Sequence, residues 1–172
     1  MIKLVFWPVF GAMIAIYAVM LVWTLPTISA EADGLAPFDM RPLGYSFDEA
    51  KAFLSALSAA GKDLYLRVQQ MLDLFYPALL AVTLILATLL LTTSRWLRLS
   101  LAALAAAGMV FDYRENFFVG RMLEYGPDGI APDLVASASG ATVVKSIFDA
   151  VSMIAVLTLT VGWLLARRRA RR

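Results

Sequence analysis

Three side chains able to do chemistry lie within one helical turn of each other. In "LAALAAAGMVFDYRENFFVGRMLEY" (101–125), Asp112, Glu115 and Asn116 follow a charge-free apolar run at i, i+3 and i+4. That spacing puts two carboxylates and the only asparagine of the chain on one helix face, in line with Ala105 and Gly108. Arg114 falls nearly opposite, on the stripe of Arg121. Asp73 forms a second polar group with Gln69 and Gln70, and Thr142, Lys145, Ser146, Asp149 and Ser152 form a third at helical spacing. Carboxylates, a lysine, an amide and hydroxyls together could transfer protons, hold a charged headgroup, or lock helices together as ion pairs. The candidate ligand-binding residues are therefore Asp73, Asp112, Arg114, Glu115, Asn116, Lys145 and Asp149. Four of these are acids and two are bases, and that excess favours a site over a purely structural network, in which each charge would find its partner.

Other chemistry is excluded by composition. The chain has no cysteine and no histidine, which removes disulfides, thiol nucleophiles, Ser-His machinery and most zinc or haem ligation. Lipoprotein signal peptidase is also a small four-span protein with a catalytic Asp pair. Its Asn-x-Gly and Asn-x-Ala-Asp motifs are absent here, as are the Asp-rich motifs of phosphatidyltransferases. No catalytic residue, metal site or cofactor is expected.

The elements that must carry these residues are membrane helices. Of 172 residues, 61% are apolar and only 16% charged, the profile of an integral membrane protein. A bilayer core needs about 20 apolar helical residues, and four spans meet that, at about 4–24, 72–94, 97–118 and 143–166. The first apolar run exceeds the 7–15 residues of a signal-peptide core, so it is expected to be a retained helix. The third has only 13 charge-free residues, 99 to 111. To cross, it must carry Asp112 into the outer third of the bilayer, where a lone charge costs at least ~2.5 kcal/mol and must face the bundle interior or water. The small residues from Ala102 to Gly108 allow other helices to approach closely. Only "RW" separates spans two and three, which predicts an antiparallel hairpin. Pro77 marks either the start of span two or a kink in it.

Charge sets the orientation. With both termini cytoplasmic, Lys3, Arg95, Arg98 and the five C-terminal arginines lie on one side without a single acid, while segments 25–71 and 119–142 carry more acids than bases. The tail 167–172 is expected to contact anionic lipid and anchor the topology; no nucleic-acid partner is expected. Residues 25–45, with three prolines and two glycines, should be irregular. "SFDEAKAFLSALSAAGK" should then be a helix opened by a Ser46/Glu49 capping box and stopped at Gly61. Its face of Ala50, Phe53, Leu54 and Leu57 should cover the bundle mouth. A further helical run, "DLYLRVQQMLDLFYP", leads into span two.

The stretch from "GYS" through "LDLFYP" and "DYREN" to "TVVK" resembles an uncharacterised family of bacterial four-span membrane proteins. In that family a Gly-Tyr-Ser opening, a Leu-Asp-x-x-Phe/Tyr-Pro motif and an Asp-x-x-Glu-Asn signature recur. The matching positions are Gly44, Tyr45 and Ser46; Asp73, Tyr76 and Pro77; Asp112, Glu115 and Asn116; and Thr142 with Lys145, over about residues 44 to 150. The resemblance implies a fold and no activity.

The whole reads as an all-α, integral membrane four-helix bundle with an extramembrane amphipathic helix between spans one and two, in one domain of the inner (cytoplasmic) membrane. A polar pocket open to the outer leaflet, floored by a dry apolar core, is expected to bind a lipid headgroup or small amphiphile. The alternative is an accessory subunit packed against other membrane proteins, with the polar groups as glue. A carboxylate-based membrane hydrolase ranks below both.

Overall fold

A computed structural model describes residues 2–170. The described residues form five helices and no strand: α1 (Ile2–Ala30), α2 (Phe47–Ala56), α3 (Ala59–Leu91), α4 (Arg95–Tyr125) and α5 (Pro132–Arg169). All but α2 are long and apolar enough to cross a membrane. The middle of the bundle is α3, which packs against α1, α4 and α5, with α4 and α5 paired along their length. Thr92 to Ser94 turn α3 into α4, giving the predicted hairpin. Ser94 caps α4, and the Arg98 guanidinium donates to Thr92 O at 2.7 Å and Leu89 O at 2.9 Å. Arg98 thus satisfies the carbonyls that end α3.

Three boundaries differ from the sequence expectation, and one alternative that it left open, at Pro77, is resolved. Residues 25–30 are helical, because α1 takes a π turn at Met20–Thr24, with Leu25 N–H donating to Met20 O, and so accommodates the missing N–H of Pro26. Gly61 does not stop a helix. Chain direction changes at Leu57–Ser58, where the Ser58 hydroxyl accepts from Gly61 N–H to cap α3, and a Cβ at Gly61 would lie 2.6 Å from Glu31 Cβ. The absent side chain lets α3 lie against the end of α1. Pro77 is interior to α3, so it does not open span two. The connection expected over 119–142 shrinks to residues 126–131, because α4 and α5 extend well past the apolar stretches.

Those extensions carry a second core at the lid end of the bundle. Phe38, Phe53 and Tyr65 are fully buried there with Ile28, Met122, Leu123, Val135 and Ala138. Each such aromatic contributes roughly 1.5–3 kcal/mol towards ordering the Pro/Gly-rich segment 31–46. Arg41 staples that segment by donating to Ala36 O at 2.9 and 2.8 Å, and it stacks over Phe38, Tyr45 and Phe53. The amphipathic α2 buries Ala50, Phe53 and Leu54 in this core, as its spacing predicts. Its capping box is formed, with the Ser46 hydroxyl accepting from Glu49 N–H and Glu49 accepting from Ser46 N–H and Oγ–H. Those two bonds from Ser46 hold the Glu49 carboxyl below the usual carboxylate range. The box is therefore closed at neutral pH and opens only as acid protonates Glu49.

Candidate functional site: a polar layer beneath the lid

Just below the lid core, α3, α4 and α5 each turn polar side chains inwards at one level. From α4 come Asp112 and Glu115, 5% and 0% exposed; from α5, Thr142 and Lys145. Lys145 Nζ lies 3.3 Å from Asp112 Oδ1 and also contacts Glu115 Oε2 as an ion pair, off the direction of a good hydrogen bond. Thr142 Oγ1 donates to Glu115 Oε1 at 2.5 Å. Lysine suits this place because its stem runs along the helix and its point charge serves two carboxylates at once.

The α3 side is built from backbone irregularity. A π turn at Tyr65–Gln69 faces the π turn of α1, and Thr24 Oγ1 donates to Gln69 Oε1 at 2.5 Å across the two. Gln69 Nε2 then donates to both Asp73 oxygens at 3.1 Å. All three side chains are buried. Pro77 has no N–H to offer Asp73 O, and Asn116 Nδ2 fills that vacancy at 3.1 Å. Gln70 Nε2 returns a bond to Asn116 O at 3.1 Å, and the Tyr113 hydroxyl donates to Leu74 O at 2.9 Å. Asn116 is thus a clasp between α3 and α4. Gly120 permits that clasp, since a Cβ there would lie 2.7 Å from Gln70 Nε2.

The Gly-Tyr-Ser run closes the top. Gly44 takes φ +83°, and a Cβ on it would stand 2.6 Å from Ser139 Oγ, which accepts from Tyr45 N–H at 2.8 Å. Glycine is needed twice over, for the left-handed turn and for the close approach to α5. Tyr45 then drops into the layer beside Thr142, yet its hydroxyl makes no hydrogen bond of acceptable geometry. Burial, and next the charge of Glu115, push the phenol well above its ordinary range, so it stays protonated and able to donate. Beside it the Tyr65 hydroxyl donates to Asp39 of the lid segment.

The sequence candidates therefore separate. Asp112, Glu115 and Lys145 meet directly; Asp73 and Asp149 sit within electrostatic reach of Asp112 and Lys145; and Asn116 serves the backbone. Arg114 does not join them. It is exposed on the far face of α4, stacked over Phe118, as its opposite phase implies. Asp39, Tyr45, Tyr65 and Thr24 belong to the layer although their spacing gave no sign of it, apart from the place of Tyr45 in the Gly-Tyr-Ser motif. The expected open pocket is largely filled by these side chains. Between α3 and α4 lies a shallow depression of about 250 Å³, lined by Gln70, Asp73, Leu74, Tyr113, Asn116 and Phe117. The larger cavity, about 670 Å³ and almost wholly apolar, lies at the other end of the bundle, so the apolar floor is not solid.

The electrostatics are lopsided. Lys145 is the one cation in the layer among the described residues, against Asp73, Asp112, Glu115 and Asp149, with Asp39 above them. Asp73 and Asp149 make no ion pair with any described residue. No grouping of acids among the described residues could hold a metal ion. Comparison of the chain with protein-family models, curated proteins and solved structures finds no match, so the resemblance noted from the motifs brings nothing to the site beyond these residues.

Proposed function

We propose that the protein is a multi-pass membrane protein that binds the cationic headgroup of a membrane amphiphile at Asp73, through the depression between α3 and α4. The observation that carries this reading is Asp73 itself. Asp73 is 4% exposed, forms no ion pair with any described residue, and lines a depression in the polar layer with room for a ligand group. An ionisable group buried in that condition is costly in a membrane span and marks a functional position. A primary amine would supply the missing charge and donate to Asp73, while Asn116 and Tyr113 frame it. The apolar tail would leave past Leu74 and Phe117, both of which face outwards from the depression.

Retention tests the reading. Protein purified gently from its own membranes and measured by native mass spectrometry is expected to carry an amine-bearing amphiphile in preference to a choline-bearing one. A bare protein, or a stable larger complex in which the depression is covered by another subunit, would overturn it.

The charge asymmetry supports a cytoplasmic location for both ends of the chain and an outward-facing lid, in an inner membrane. A cysteine placed at the exposed Ala52 is then expected to react with an impermeant maleimide in intact cells, and one at Ala170 only after lysis. The reverse pattern would invert the orientation. The absence of native cysteine makes each label specific.

A further inference from the structure

The apolar cavity opens at the arginine-rich end and runs along α5 from Trp163 to Met153, one turn short of Asp149. There α1 packs mainly on α3 and leaves a cleft between itself and α5. Its walls include Phe6 and Phe10 of α1, Leu84 and Ala87 of α3, and Val156 and Leu157 of α5. A volume of about 670 Å³ falls in the range of dedicated small-molecule sites, and three helices wall this half-open cleft.

Two features identify the occupant. The first is charge. Lys3 lines the cleft, and the Arg167 guanidinium stacks 4.8 Å over the ring of Trp163, which also lines it. No Asp or Glu occurs before Glu31, between residues 74 and 111, or after Asp149, so no described side chain at this end neutralises those cations. The second is depth. Trp7 and Trp163 both border the cleft beside Lys3, and Trp96 stands exposed next to Arg95 at the same end. Tryptophans grouped with basic residues mark the headgroup level of a bilayer. The mouth of the cleft therefore sits where phosphates sit, and its body sits where acyl chains run.

We infer that this cleft is a binding site for one anionic phospholipid, its acyl chain between α1, α3 and α5 and its phosphate against Lys3 and Arg167. This site rests on the membrane reading but not on Asp73, and its occupant differs in charge from the one proposed there.

The test uses full-length protein in bilayers of phosphatidylcholine with a minority of phosphatidylglycerol, followed by detergent extraction and native mass spectrometry. Wild type is expected to retain one phosphatidylglycerol. Lys3→Gln with Arg167→Gln changes only exposed side chains and should lower the preference for phosphatidylglycerol by roughly five-fold for each cation. Ala87→Phe fills the cleft and should abolish retention of any phospholipid there, with the unfolding temperature reporting that the bundle persists. Asp73→Asn is expected to leave phosphatidylglycerol retention unchanged, which separates the two sites. Equal retention of both lipids by wild type would overturn the inference. So would an undiminished preference in the double variant, or a dimer whose formation excludes lipid from the cleft.

Discussion

Lys145→Met is expected to destabilise the protein by about 3 kcal/mol, the largest loss expected of any single substitution in the polar layer. Lys145 is the only described cation in contact with Asp112 and Glu115, and its side chain is 14% exposed against 7% and 1% for theirs. Removing it leaves two carboxylates facing each other in a low-dielectric layer, with Asp73 and Asp149 close behind. Methionine keeps the length and apolar stem of lysine, so the loss reports charge and not volume. Titration with a denaturing detergent, followed by intrinsic tryptophan fluorescence, measures it. Asp149→Asn is the internal comparison. Asp149 makes no ion pair with any described residue and lies against Gly108, where even a Cβ would collide with it, so losing its charge should leave stability unchanged or raised. A Lys145→Met protein as stable as wild type would mean that the triad does not hold the helices.

Asp73→Asn should do the opposite. The amide keeps the shape of the carboxylate and can still accept from Gln69 Nε2, so stability should stay within about 1 kcal/mol of wild type. Retention of the amine-bearing amphiphile should fall by about thirty-fold, the low end of what removing one partner of a buried charge pair costs. The contrast between the two variants is the informative result. In a network that is only glue, stability would drop for both and the bound lipid would not change. In the proposed binder, Lys145→Met weakens the layer while Asp73→Asn leaves it folded and empty. Full retention by a folded Asp73→Asn protein would remove Asp73 from any site.

Much of this arrangement was legible in the residues. For a charge-free run of only 13 residues to be long enough for a bilayer, its helix has to carry on through Asp112 and Glu115, and α4 does continue through them to Tyr125. Helical phase alone separates the Asp112–Glu115–Asn116 face from Arg114, and the structure leaves Arg114 outside. The Ser46/Glu49 capping box, the greasy face of α2 and the tight hairpin after Leu91 all follow from local rules, because each involves groups within one or two turns of each other.

Three things had to wait for the tertiary structure. Asp39 and Tyr45 reach the polar layer only because a Pro/Gly-rich segment folds back over the bundle, held by Arg41 and by the approach of Gly44 to Ser139; no periodicity encodes such a path. Pro77 has no N–H to bond Asp73 O, and only the packing of α4 on α3 assigns Asn116 to that carbonyl. The sequence by itself determined which faces are polar, where charge must be buried and which end is basic, since these follow from hydropathy and a helical period of about 3.6 residues. Only the tertiary structure decided that the polar layer is nearly filled and that the empty volume lies at the opposite, apolar end. The volume left between helices depends on how far they diverge, and the packing of α1 mainly on α3 is a property that no single segment contains.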